Sequence, residues 1–119
     1  MCFLFVYHQV LAGPQAGKTI TRDRREGCIP DEFAAEITNA PGTLSMANTG
    51  APNSGGSQFF LNVAHNDNLD FFSGGESKHP VFGKVNKNMA LVTQISQVRT
   101  RDDNPVQPIV MRSIEIRGA

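Results

Sequence analysis

Two segments with alternating side chains flank a loop of turn-forming residues, and this arrangement most restricts the folds open to the chain. Leu44 and Met46 alternate with smaller residues in segment 43–48, and segment 57–63 alternates in the same way. A period of two is typical of half-buried β-strands. The intervening residues 50–56 are rich in glycine, proline and asparagine, which favour turns. We therefore predict a strand, a loop and a second strand here.

The second of these strands predicts a binding face. Because successive strand side chains point to opposite faces, Gln58, Phe60 and Asn62 share one side of the strand. An amide beside an aromatic ring offers an apolar wall and a hydrogen-bonding group, which is typical of a pocket for a small ligand or a peptide.

The remaining patterns favour one mainly β domain over residues 1–119. We expect Asn88 to cap a helix in which Met89, Val92 and Ile95 recur near helical spacing. Many short strands, glycine-rich turns and about one clear helix predict an all-β barrel or sandwich. Further strands are predicted at 1–7, 81–85 and 114–117, a short helical piece after 29–33, and loops at 64–80 and 101–108.

Charge and cysteine content favour a cytoplasmic protein with a peptide or small-molecule partner. Lysine plus arginine equals aspartate plus glutamate at 11 each, so no net charge attracts nucleic acid or a membrane surface. The apolar run 1–7 lacks the features of a signal peptide and is far shorter than the ~20 residues of a membrane span. Two cysteines, Cys2 and Cys28, indicate thiols in a reducing compartment.

Other chemistries find little support in the sequence, and we expect no cofactor and no metal. Residues 13–19 resemble a P-loop, but three residues separate its glycines where four are needed. The histidines at 8, 65 and 79 lack the spacing of metal ligands, and the serine at 57 lies outside a nucleophile-elbow motif.

Four segments, which occur in the same order as in the family, resemble the cyclophilin family of peptidyl-prolyl isomerases. They are GTLSMAN at 42–48, GSQFF at 56–60, IPDEF at 29–33 and VFGKV at 81–85. The resemblance extends over about 29–116 and is dense from 42 to 85. It implies an eight-stranded antiparallel barrel that binds an X-Pro peptide in a surface groove and accelerates its cis/trans rotation without metal or cofactor.

The resemblance also implies roles for individual residues. Phe60 corresponds to the floor of the proline pocket, Leu69 and His79 to its walls, and Gln58 to a donor toward the substrate backbone. Asn48, flanked by Ala47 and Thr49, corresponds to the site of main-chain pairing with the peptide before its proline.

Two departures from the family pattern affect function. Asn68 replaces the tryptophan that usually precedes Leu-Asp, and residues 71–77 lengthen the next connection, so we expect weak binding of cyclosporin-type macrocycles. Gln9 falls at the position of the catalytic arginine and supplies a neutral donor instead of a charged one. The family's N-terminal strands and helix have no clear counterpart. Two functions therefore stay open, an isomerase and a proline-peptide binding module without catalytic power.

Overall fold

The computed structural model describes residues 3–6, 28–56, 58–75, 77–115 and 117. These residues form a mainly β structure with one α-helix in the described part. The elements are β1 Phe3–Val6, β2 Thr43–Met46, β3 Phe59–Asn62, a 3₁₀ turn Asp67–Leu69, β4 Val81–Lys84, α1 Met89–Ser96, β5 Thr100–Arg101 and β6 Asn104–Pro105.

Four strands form one antiparallel sheet in the order β1-β3-β2-β4. Ser45 on β2 lies opposite Phe60 on β3, and both side chains are buried. The pairing of β2 with β4 shifts register between Leu44 and Ser45. Within the described residues β1 and β4 form the two edges, and the sheet does not close into a barrel.

The buried interior of the described residues is unusually polar. Three apolar side chains are buried: Ala47, Phe60 and Leu69. Five polar ones are buried with them: Asn39, Ser45, Asn62, Asn66 and Asp70. No buried side-chain nitrogen or oxygen in this part of the chain lacks a hydrogen-bond partner. Hydrogen bonds, in addition to apolar contact, therefore hold this face of the sheet together.

The strands predicted at 1–7, 43–48, 57–63 and 81–85 are confirmed as β1, β2, β3 and β4. Helix α1 also begins at the predicted residue, and Asn88 occupies its N-cap position as expected, although not through its side chain. Asn88 has a left-handed backbone, with φ of 61°, and its side chain makes no cap hydrogen bond. Its main-chain carbonyl instead accepts hydrogen bonds from the N–H groups of Leu91 and Val92.

Three local predictions are wrong. No helix follows 29–33, where Ile29 instead forms a bridge with Gly55. The described residues from 111 to 117 are exposed and form no strand, although alternation predicted one. Where a loop was predicted at 101–108, β5 and β6 form a small hairpin that begins at Thr100, because Asp102 and Asp103 both adopt positive φ, as type I′ turns require.

Candidate functional site

Phe60 lies at the centre of the predicted binding face. Its alternation with half-buried neighbours on β3 turns its ring toward the interior, where it packs with Ala47 and Leu69 in one apolar cluster. Ala47 follows the end of β2, and Leu69 ends the 3₁₀ turn. Phe60 exposes only 2% of its surface, so its ring is packed and not open to a ligand in this conformation.

His79 packs its ring edge-on against Phe60, with centroids 5.4 Å apart and an interplanar angle of 76°. Its Nδ1 lies 2.9 Å from the carbonyl oxygen of Met46, and because a carbonyl only accepts, Nδ1 is the donor in this hydrogen bond. The main-chain N–H of His79 donates to the carbonyl of Leu69 at 3.0 Å. His79 is therefore tied to β2 on one side and to Leu69 on the other.

Asn48 offers its main chain while its side chain is engaged locally. Its Nδ2 donates to the carbonyl of Lys78 at 2.6 Å, and its Oδ1 accepts from the N–H of Gly50 at 3.0 Å. Within the described residues, no hydrogen bond engages the main-chain N–H or C=O of Asn48. An unpaired main chain beside a sheet is the feature that captures an extended peptide as an added strand.

Gln58 and Thr49 lie next to this main chain and are exposed. The carbonyl of Gln58 accepts a hydrogen bond from the N–H of Ala47 at 3.0 Å, which extends the pairing of β2 with β3 by one residue. The N–H of Thr49 donates to Ser54 Oγ at 3.1 Å. The Gln58 side chain makes no hydrogen bond in the described structure, so its amide is available to a ligand.

The structure thus brings together Ala47, Phe60, Leu69 and His79 in direct contact or through hydrogen bonds. Asn48, Thr49 and Gln58 flank this group at the ends of β2 and β3. Gln9 lies outside the described residues. The functional roles of all these residues stay predictions.

A buried network of polar side chains underlies the apolar cluster. Asn39 is fully buried, and its main-chain N and Nδ2 both donate to Asp70 Oδ1, at 2.7 and 2.8 Å. Ser45 Oγ donates to Asn39 Oδ1 at 2.6 Å. Asn62 Nδ2 donates to Ser45 Oγ at 3.0 Å, and Asn66 Nδ2 donates to Asn62 Oδ1 at 2.8 Å. The network joins segment 38–40, β2, β3 and the 64–70 connection.

Asp70 is the charged member of this network. Burial by itself would raise the pKa of its carboxyl group. Hydrogen bonds from Thr38 and from the side chain and main chain of Asn39 act in the opposite direction, as does the charge of His65. Together they lower the pKa of Asp70 below its ordinary value. Asp70 is therefore ionised at neutral pH and acts as a fixed acceptor next to Leu69.

The sequence patterns predicted little of this network. Asn62 could be placed on the face of Phe60, and a polar residue at an inward strand position is a usable signal of a buried hydrogen bond. Asn39 gave no such signal, because it lies in a segment without regular structure and its partners are distant in the sequence.

A search against protein-family models matches residues 8–116 to the family described as cyclophilin type peptidyl-prolyl cis-trans isomerase/CLD. The matched residues cover most of the chain. The chain belongs to the cyclophilin family. The match includes the position of Gln9 and extends upstream of the segments that carried the resemblance in the sequence.

Curated proteins from two bacteria and from human are similar to this chain. Peptidyl-prolyl cis-trans isomerase A of Dickeya dadantii is 34% identical over 119 residues, covering 96% of this chain and 62% of the relative. A peptidyl-prolyl cis-trans isomerase of Acinetobacter baylyi is 39% identical over 95 residues, covering 76% and 50%. Human peptidylprolyl isomerase domain and WD repeat-containing protein 1 is 38% identical over 94 residues, covering 76% and 14%. The chain thus spans between half and two thirds of the two bacterial isomerases.

A cavity of about 210 Å³ is lined in part by Asn48, whereas Phe60 is not among its lining residues. Met46 and Phe82 line it, and Met46 points away from Phe60 because it alternates with Ser45 along β2. Phe60, Leu69 and His79, to which the family resemblance assigns the proline pocket, do not line this cavity. No cluster of three potential metal ligands occurs in the described residues, and no helix there is long and apolar enough to span a bilayer.

Proposed function

We propose that this chain binds proline-containing polypeptide segments and accelerates the cis/trans rotation of their X-Pro bonds, assisting protein folding. The observation that carries the proposal is the grouping of Phe60, Leu69 and His79 beside the main chain of Asn48, which has no hydrogen-bond partner among the described residues. An apolar site for a ring next to a main-chain segment with open hydrogen-bonding groups suits a proline and the residue before it. In this proposal residues 1–119 act as one domain.

The chemical task explains why such a site is sufficient. Rotation about the X-Pro bond faces a barrier of about 20 kcal/mol because amide resonance must be broken. A catalyst lowers the barrier by binding the twisted amide better than either planar form. Holding the proline ring while the preceding residue is fixed by main-chain pairing restricts the substrate to that rotation, and no covalent step is needed.

Residue roles follow from the arrangement. Phe60 contacts the proline ring, with Leu69 and His79 on its sides, once these packed side chains part to admit it. Asn48, between Ala47 and Thr49, pairs with the peptide before its proline. Gln58 donates from its exposed amide to the substrate backbone. These assignments extend to this chain what the family resemblance implies.

Gln9 acts as the donor to the imide nitrogen in this proposal. A neutral amide forms a weaker hydrogen bond than a guanidinium, so turnover is slower than an arginine at this position would give. Cyclosporin-type macrocycles bind weakly because Asn68 stands before Leu69. Two cysteines in the whole sequence are too few for a disulfide-dense secreted scaffold, which suits action in the cytoplasm.

Exchange spectroscopy by NMR tests the proposal directly. A short Ala-Pro peptide is mixed with the full chain, and exchange peaks between its cis and trans signals are recorded at sub-second mixing times. Uncatalysed exchange takes tens of seconds, so such peaks require catalysis. Broadening of the peptide signals without exchange peaks would identify a binding module instead, and unchanged signals would refute both functions.

A further inference from the structure

Asn39 uses every polar atom that it has. Besides the two bonds to Asp70, its Nδ2 donates to the carbonyl of His79 at 3.2 Å. Its Oδ1 accepts from Ser45 Oγ at 2.6 Å and from Asn62 Nδ2 at 3.3 Å. Its main-chain carbonyl accepts from the N–H of Asn66 at 2.9 Å. The side chain is completely buried, so water does not replace any of these partners.

These bonds reach the residues around Phe60 from three directions. Asp70 directly follows Leu69 in the chain, so its carboxylate anchors the end of the 3₁₀ turn that carries Leu69. The bond to the His79 carbonyl anchors the opposite wall. Ser45 is the cross-strand partner of Phe60 itself. One side chain therefore fixes both walls relative to the floor.

We propose that Asn39 is a positioning residue of the proline site and that it sets the separation of Leu69 and His79 across Phe60. This inference rests on the proposed function, because it assigns Asn39 to the site in which the proline is held. Asn39 acts through its neighbours and does not contact the peptide.

Only an amide satisfies all of these partners at once. The side chain must supply two donors, toward Asp70 and His79, and one acceptor, toward Ser45. An aspartate has the same shape and keeps the acceptor, but it loses both donors and places a second carboxylate against Asp70. Asn39→Asp therefore changes the polarity at this position while preserving its volume.

The kinetic signature separates positioning from a purely structural role. The proline ring occupies the site throughout rotation, so loosened walls remove binding that the ground state and the transition state share. Asn39→Asp should raise KM about 10- to 100-fold and change kcat much less. A variant that only unfolds part of the sample lowers the apparent kcat in proportion to the folded fraction and leaves KM unchanged.

The experiment measures kcat and KM for an Ala-Pro peptide with the full chain, Asn39→Asp and the double variant Asn39→Asp/Asp70→Asn. Val92→Ala serves as the control, because Val92 is half-buried on α1 and takes part in no bond of the network. The folded fraction of each variant is measured by circular dichroism under assay conditions. The double variant restores a donor–acceptor pair between positions 39 and 70 but not the bond to the His79 carbonyl.

We expect a raised KM in Asn39→Asp, a partial return in the double variant and an unchanged KM in Val92→Ala. An unchanged KM in folded Asn39→Asp would overturn the inference and leave the proposed function intact. If the unaltered chain binds the peptide without turnover, the dissociation constant from peptide chemical shifts replaces KM in the same comparison. If the unaltered chain neither binds nor isomerises the peptide, the proposed function fails and the inference fails with it.

Discussion

Asn39 and Asp70 meet at a single carboxylate oxygen, where Asp70 Oδ1 accepts hydrogen bonds from both the main-chain N and Nδ2 of Asn39, at 2.7 and 2.8 Å. The hydroxyl of Thr38 donates to the other oxygen, Oδ2. These three donors join the Asp70 carboxylate to residues 32 and 31 positions earlier in the chain. The segment before β2 and the turn that carries Leu69 are therefore expected to lose order together.

Stability should depend on pH through Asp70. Its pKa is lower in the folded chain than its ordinary value of 3.8, so its stabilisation is complete above that value and is lost as pH falls through the folded pKa. We expect Asp70→Asn to lower the free energy of unfolding by about 1–3 kcal/mol at pH 7, with a smaller difference from the unaltered chain at pH 3. Urea unfolding at both pH values measures this. Asp67→Asn, at an exposed aspartate in the same turn, is the control, and an equal loss at both pH values would contradict the prediction.

Phe60 and Phe82 provide a matched pair of aromatic substitutions in the sheet. Phe60 is 2% exposed and Phe82 is 56% exposed, so Phe60→Leu should cost about 1–2 kcal/mol of unfolding free energy and Phe82→Leu about 0.5 kcal/mol or less. Proline-peptide affinity should fall only for Phe60→Leu, which loses the ring contact. Thermal unfolding and peptide titration by NMR measure the two effects. A loss of affinity in Phe82→Leu alone would place the binding site on the other face.

Gln58→Ala should weaken function without affecting the fold. The side chain is exposed, so the unfolding free energy should change by no more than about 0.5 kcal/mol. One lost hydrogen bond to the peptide, worth about 1 kcal/mol, should reduce affinity about fivefold. Gln94→Ala, at an exposed glutamine on α1, is the control for both measurements. Unchanged affinity would remove Gln58 from the proposed site.

Gln9→Arg tests the proposed donor. A charged donor stabilises the rotating imide nitrogen more than an amide does, so kcat should rise about tenfold or more while KM changes little. The exchange experiment with the Ala-Pro peptide measures both constants, and Gln9→Lys separates the effect of charge from that of the planar fork. An unchanged kcat with intact peptide binding would show that residue 9 does not occupy the donor position.

Gly75 is required by a close backbone approach in the loop that follows Leu69. A β-carbon at position 75 would lie 2.6 Å from the carbonyl oxygen of Asn68, a contact that the loop must move to relieve. Gly75→Ala should therefore cost about 1–3 kcal/mol of unfolding free energy. Gly83→Ala, where the added carbon meets Leu44 Cβ at 3.8 Å, should be nearly neutral. Similar denaturation midpoints for the two variants would show that the loop relaxes freely.

Local patterns predicted the elements in which each residue's environment is set by its immediate neighbours. Alternation placed Phe60 and Asn62 on one face of β3, because the side-chain period of a strand is a property of the backbone itself. The same reasoning failed at 114–117, where alternation is present but no partner strand pairs with these residues within the described structure. It also missed the β5–β6 hairpin, which depends on two aspartates with positive φ.

The sequence by itself determined the mainly β character, the central strands and, through its ordered family segments, membership of the cyclophilin family. Only the tertiary structure decided which polar residues are buried and how they are satisfied. Asn39 meets Asp70 and Asn62 across 31 and 23 residues of chain, and no pattern within either segment encodes those contacts. The reason is physical: strand periodicity is short-range, whereas a buried hydrogen bond depends on which distant segments the folded chain brings within about 3 Å of each other.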